Sequence, residues 1–220
     1  MMTLSEAIAA RHSVRRFTKR EIEKSAAHDL KEYIDECNRL SGFDFQLVLN
    51  EPEAFSTRMA HYGSFRNCEN YIAAVGPKDE CEKCGYYGEK IVLKAQQLGL
   101  NTCWVALTYG KSKAHCIVPK GEKLYAVIAL GYGETQGSAH KSKSINELCR
   151  VNGDMPSWFY SGMTAAMLAP TATNQQKFLL TLDNDTVHAK ALHGFYSKLD
   201  LGIVKYHFEI GAGNAEFKWG

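Results

Sequence analysis

Seven consecutive apolar residues, Leu124-Tyr125-Ala126-Val127-Ile128-Ala129-Leu130, constrain the fold most strongly. A strand without polar alternation has no face to offer water, so it belongs in the middle of a sheet covered on both sides. Gly131-Tyr132-Gly133 ends it. Strands to pair with it are legible upstream. Phe43 to Leu49 places Phe43, Phe45, Leu47 and Leu49 at odd positions before Asn50-Glu51-Pro52, and Tyr71 to Val75 closes at Gly76-Pro77.

Helical spacing is equally clear. Thr3-Leu4-Ser5-Glu6 has the reciprocal capping pattern, with Leu4, Ala7 and Ile8 on one face. Thr18-Lys19-Arg20-Glu21 repeats that pattern, and Leu30, Tyr33, Ile34 and Cys37 predict about four turns ending near Ser41-Gly42. Gly85 to Leu98 carries an apolar stripe of Tyr87, Ile91, Ala95 and Leu98, with Gly99 placed to terminate it. Gly88 inside that helix predicts a close approach by another backbone or a flat ligand. Trp104 to Leu107 is a short apolar segment after it.

The last third reads as a shortened second copy. Phe159, Met163, Ala166 and Met167 give a helix after Pro156-Ser157, Phe178 to Leu182 resembles Phe45 to Leu49, and Leu201 onward is helix-like. Gly202 and Gly213 are spaced as Gly88 and Gly99 are. The expected organisation is therefore two α+β halves, residues 1–150 and 151–220.

Chain length of 220 residues and 45% hydrophobic content suit such a core. No apolar run approaches the roughly 18 residues of a spanning helix, and the first ten residues contain Glu6 and no hydrophobic signal core. The expectation is a cytoplasmic protein with no membrane contact. A formal net charge of +2, with five Lys/Arg and six Asp/Glu over residues 151–220, gives no basic tail or stripe, which argues against nucleic acid. Seven cysteines, an odd number, suit free thiols. Cys81-Glu82-Lys83-Cys84 lacks the second pair or histidines of a zinc site, so no metal is expected. A redox pair and two unrelated thiols both remain open there.

Two stretches carry candidate chemistry. In Arg11-His12-Ser13-Val14-Arg15-Arg16-Phe17, alternation in an extended segment sends Arg11, Ser13 and Arg15 to one face, where they suit an anionic group. A solvated basic loop is the plainer alternative. Ala169-Pro170-Thr171-Ala172-Thr173-Asn174-Gln175-Gln176 offers amides whose donor and acceptor match the mixed edge of a uracil-like ring. A turn whose Thr and Asn cap backbone groups is the alternative.

Arg11 to Phe17 resembles the N-terminal flavin-phosphate motif of the FMN-dependent nitroreductase family. Ala169 to Gln176 resembles that family's ring-binding loop, Gly88 to Leu107 its central helix and following loop, and Lys141-Ser142-Lys143 its late phosphate-contacting motif. In most members the ring loop follows the first long helix, a place held here by Leu40-Ser41-Gly42-Phe43, and proline stands where this chain has Lys177. Such an arrangement is similar to the subgroup in which one polypeptide imitates the family's dimer. The resemblance implies a nitroreductase-like fold: two half-domains, each with a small, mostly antiparallel sheet flanked by helices, forming an internal pseudo-dimer.

It further implies FMN, with Arg11, His12, Ser13, Arg15, Lys141 and Lys143 toward its phosphate and ribityl oxygens. Pro170, Thr171, Ala172, Asn174 and Gln176 would meet the ring, with backbone groups of Ala106 and Leu107 near its reactive nitrogen. Since the flavin supplies the chemistry, no side chain is assigned as acid, base or nucleophile. The implied reaction is two-electron ping-pong transfer from NAD(P)H to a nitroaromatic, quinone or similar small acceptor. Ferredoxin or another flavin is an alternative donor. A flavin-binding or regulatory module without turnover is the competing reading, and the assembly is a monomeric pseudo-dimer or a homodimer.

Overall fold

The computed structural model describes residues 2–220. In chain order the elements are α1 (Leu4–Ala10), α2 (Lys24–Ser41), β1 (Asp44–Val48), α3 (Arg58–Tyr62), β2 (Asn70–Pro77), α4 (Cys81–Gln97), β3 (Asn101–Val105) and β4 (Glu122–Gly131). There follow α5 (Ile145–Leu148), β5 (Cys149–Val151), α6 (Ser157–Ala166), β6 (Phe178–Asp183), β7 (Thr186–Ala191), α7 (Ser197–Ala212) and β8 (Lys218–Trp219). Among the described residues, no helix is long and apolar enough to cross a membrane.

The chain is α+β and divides into two compact units, each with a four-stranded sheet. Met2, Ala10–Glu80 and Lys90–Ala139 make the first; Thr3–Ala9, Cys81–Glu89 and His140–Gly220 make the second. Helix α4 runs unbroken through the boundary, giving its first nine residues to one unit and the rest to the other.

In the first unit the sheet order is β1-β2-β4-β3, antiparallel throughout. The apolar strand β4 sits between β2 and β3, and every residue from Leu124 to Gly131 is buried. Its neighbours repeat its chemistry, as in the Ile72 and Ile128 pairing. Helix α2 ends where the sequence indicates: Gly42 is left-handed (φ +73°) and its N–H donates to the Asn38 carbonyl. The Asn38 side chain then brackets β1, donating to the Phe45 carbonyl at 3.0 Å and accepting from the Phe45 N–H at 2.8 Å.

The start of α2 differs from expectation. The Thr18 N–H is spent on the Tyr132 carbonyl at 2.7 Å, which keeps the chain extended through Thr18 and delays the helix to Lys24. At the first helix the capping pattern forms as read, with the Thr3 N–H on Glu6 and the Glu6 N–H on Thr3 Oγ1.

The second unit orders its strands β5-β6-β7-β8. Its long central pair, β6 with β7, is antiparallel, and the short edge strands β5 and β8 join in parallel. Helices α6 and α7 pack through glycines: a Cβ on Gly162 would lie 2.6 Å from the Phe208 ring, and one on Gly211 would lie 2.5 Å from the Ser161 carbonyl oxygen. Around that contact Trp158, Phe159, Phe208, Phe217 and Trp219 stack edge and face at centroid separations of 5.3–6.3 Å. Helices α4 and α7 meet backbone to backbone at Gly85 and Gly202.

Candidate functional site

In the first unit, residues 13–18 form an extended strap rather than a free loop. The Val14 N–H donates to the Thr102 carbonyl, the Phe17 N–H to Arg66, and the Arg66 N–H back to Arg15, each at 3.0 Å. Buried Val14 and Phe17 anchor the strap in the core below. Its backbone is therefore fixed, and side-chain direction follows from alternation.

The alternate residues converge on Cys103 of β3. Burial pushes its thiol up, and opposing that are the Arg15 charge, a hydrogen bond with Ser13 and the Arg11 charge. Three expected residues thus act on one point. Arg11 is itself only 4% exposed, so its guanidinium lies beneath the strap and not in solvent. His12 goes the other way: a Cβ on Gly137 (φ +78°) would lie 2.8 Å from His12 Cβ and 3.3 Å from Val14. Ala106 and Leu107 lie in the bends after β3, Ala106 half-buried and Leu107 66% exposed.

In the second unit the loop after α6 is strained and tightly tied. Thr173 (φ +51°), Asn174 (φ +55°) and Gln176 (φ +47°) are all left-handed without being glycine. Each such residue costs energy that the surroundings must supply, and the β-branched Thr173 is the most unusual. Restraint comes mainly from Gln176, which is 3% exposed. Its Oε1 accepts from the Lys143 N–H at 2.8 Å, and its Nε2 donates to the Lys141 carbonyl and to Asn174 Oδ1, both at 3.0 Å. Asn174 Nδ2 donates to the same Lys141 carbonyl at 2.9 Å, and Lys143 Nζ donates to the Gln175 and Gln176 carbonyls.

The structure therefore brings Lys141, Lys143, Asn174 and Gln176 together as one network. Within it the amide of Gln176 and the ammonium of Lys143 serve the loop's own backbone. Pro170, Thr171 and Ala172 form the half-buried limb of the loop, shaped by that network.

Sequence reasoning missed the lower support. Asp200 of α7 is 4% exposed, accepts from the Ala172 N–H at 3.1 Å with both oxygens, and accepts from Gln175 Nε2 at 3.0 Å. Its signal was present: one carboxylate in the apolar run Leu199-Asp200-Leu201-Gly202-Ile203-Val204. Burial lifts this carboxyl to about 6, against hydrogen bonds from Gln175 and Ala172 that favour the ionised form. A raised acid pKa stabilises the fold fully below the unfolded value of 3.8 and loses that contribution as pH rises through about 6. Native protein should accordingly lose on the order of 3 kcal/mol between pH 4 and 7 relative to Asp200→Asn, measured by urea unfolding at both pH values. Parallel pH dependence of the two proteins would remove Asp200 as the source.

A cleft of 570 Å³ in the first unit is lined by Arg16, Phe55, His61, Phe65 and Arg66 among others, and none of the thirteen expected residues reaches it.

No curated protein matches the chain. Among solved structures, a Thermotoga maritima protein described as a "putative nitroreductase" aligns with a TM-score of 0.68 at 24% identity, over 96% of this chain and 83% of that one. One from Desulfovibrio desulfuricans, a "putative nitroreductase in complex with FMN", aligns at 0.52 with 19% identity, over 70% of this chain and 96% of the other. A Parabacteroides distasonis "putative NADH dehydrogenase/NAD(P)H nitroreductase" aligns at 0.51 with 18% identity, over 66% and 95%. These likenesses establish the fold. The family model described as "Putative TM nitroreductase" matches residues 3–212, from the first helix to the last turn of α7, and the chain belongs to that nitroreductase family.

Proposed function

We propose that this protein is an FMN-dependent oxidoreductase that passes two electrons, in ping-pong order, from NAD(P)H to a nitroaromatic, quinone or similar small acceptor. The observation that supports the reading is that Arg11, Ser13 and Arg15 of one rigid strap all act on the same neighbour, Cys103 of β3. Two guanidinium groups and a hydroxyl match a phosphate of charge near −2 in both sign and fork geometry. FMN, when bound, supplies the two-electron chemistry.

This chain's residues would bind and orient. Arg11 and Arg15 would offset phosphate charge with Lys141, Ser13 would donate, and His12, on the other side of the strap, would serve ribityl oxygens. At the ring end Pro170, Thr171 and Ala172 offer contact surface, while Asn174, Gln176 and Lys143 hold the loop in its strained shape. The backbone of Ala106 and Leu107 completes the proposed set. The electron donor is NAD(P)H in this reading, with ferredoxin or free flavin the alternative, in a cytoplasmic setting.

The test is direct. Protein purified from cells should be yellow and hold FMN, and NADH or NADPH should bleach it anaerobically. A yellow protein bleached by no donor is a flavin-binding module without turnover, and a colourless one that takes up no added FMN ends the proposal. Arg15→Ala should weaken FMN binding by about 1.5–3 kcal/mol, roughly 10- to 150-fold in Kd, the scale of a hydrogen bond to a charged group. Fluorescence titration of apoprotein with FMN measures it, and unchanged affinity removes Arg15 from the site.

A further inference from the structure

We infer that Cys81 and Cys84 are a redox-active dithiol, closing to an intrachain disulfide by exchange with small-molecule disulfides such as glutathione disulfide. Helix α4 opens at Cys81, so the two cysteines occupy its first and fourth positions. Residues three apart share a helix face. Ideal helix geometry puts their Cα atoms about 5 Å apart, inside the range a disulfide spans. The first turn is also where a helix tightens most readily, since its N–H groups make no bond to a preceding turn.

Access from solvent decides which sulfur reacts first. Burial then separates the pair: Cys81 is partly open to solvent, whereas Cys84 is fully buried. A small disulfide can reach only Cys81 from solvent, and Cys84 is one turn away to close the bridge.

The remaining five cysteines are set apart from this chemistry. Burial pushes Cys37 up to about 11 and pushes Cys68, Cys103, Cys116 and Cys149 upward as well, which keeps them as unreactive thiols. Among the described residues no group of three or more His, Cys, Asp or Glu is placed to hold a metal ion.

The exchange balances. Cys81 thiolate attacks one sulfur of glutathione disulfide, forming a mixed disulfide and expelling glutathione thiolate. Cys84, its proton released to solvent, attacks Cys81 Sγ and expels the second glutathione thiolate. The chain gives up two electrons and two protons, and one glutathione disulfide becomes two glutathione thiols.

The experiment equilibrates folded, full-length protein with glutathione buffers of increasing disulfide fraction, quenches with acid, alkylates and digests with trypsin. Cleavage after Lys83 divides the cysteines between peptides 79–83 and 84–90, so a bridge appears as a cross-linked, unalkylated pair. That pair is the expected product, accumulating while the other five cysteines stay alkylated. Cys84→Ser should trap one glutathione on Cys81, and Cys81→Ser should leave Cys84 fully alkylated. Should the serine at the buried position unfold the chain, Cys84→Ala serves, and the cross-linked pair in native protein stands without either variant. Two alkylated peptides at every buffer ratio, or glutathione lodged on Cys81 of the native chain without closure, overturn the inference. None of these readouts involves flavin, so the outcome is separate from that of the proposed activity.

Discussion

Gly202→Ala lowers the unfolding free energy of the unit built on α6, α7 and β5 to β8 by about 3–5 kcal/mol, at the upper end of single-substitution effects. The added Cβ would overlap the Glu82 carbonyl oxygen and lie 2.7 Å from the Tyr86 nitrogen. Both obstacles are backbone of α4, so no side chain can rotate away. The same contact viewed from α4 puts a Cβ on Gly85 onto the Leu199 carbonyl oxygen and 3.2 Å from the Ile203 nitrogen. Relief requires the two helices to part, which breaks packing along their whole contact. Gly213→Ala is the control: its φ of +63° strains any side chain, yet nothing lies within 4 Å, so only backbone strain of about 1–3 kcal/mol is at stake. In thermal unfolding the first variant should lose about 10 °C and the second a few degrees. Equal losses would mean conformation rather than close approach matters at Gly202.

The fold was legible where a segment settles its own structure. Strand β4 has no polar side, β1 alternates, and α4 carries a long stripe that ends at a glycine with φ +78°. Segments held by partners were not legible. Three-residue β5 and two-residue β8 exist only because β6 and β7 present an edge to pair with, and β7 alternates Val187, Ala189 and Ala191 with Thr186, His188 and Lys190, but two of its three apolar positions are alanine, a weak strand former. Thr18 misled for the same reason: its capping pattern is genuine, but a carbonyl 114 residues later claims its N–H.

At the candidate site, direction was readable and use was not. Alternation along Arg11, Ser13 and Arg15 follows from any extended backbone, and all three act on Cys103. For Gln176, the sequence offers an amide without saying what it serves. In the fold it satisfies Lys141 and Lys143, so its contribution is to the loop's shape. Asp200 escaped notice because its partner Ala172 is 28 residues away and contributes a backbone N–H, which leaves no trace in residue types.

Glu89→Ala should cost about 3–5 kcal/mol, and the double variant Glu89→Leu/His207→Leu should recover most of it. Both side chains are fully buried, with His207 Nε2 2.9 Å from Glu89 Oε1. The other ring nitrogen, Nδ1, lies 3.2 Å from the Ala165 carbonyl, which can only accept, so Nδ1 carries a hydrogen. A single proton is then shared along the Nε2 to Oε1 line, as imidazolium with carboxylate or as imidazole with carboxylic acid. In both cases the pair has no net charge, which is why it can reside in the core. Removing the carboxylate strips His207 of its buried partner and opens a cavity at α4, whereas two leucines refill the space and remove both members of the pair together. Urea unfolding of the single and double variants decides it. If the double variant is no more stable than Glu89→Ala, the loss comes from packing alone, and the shared proton contributes nothing to holding α4 on α7.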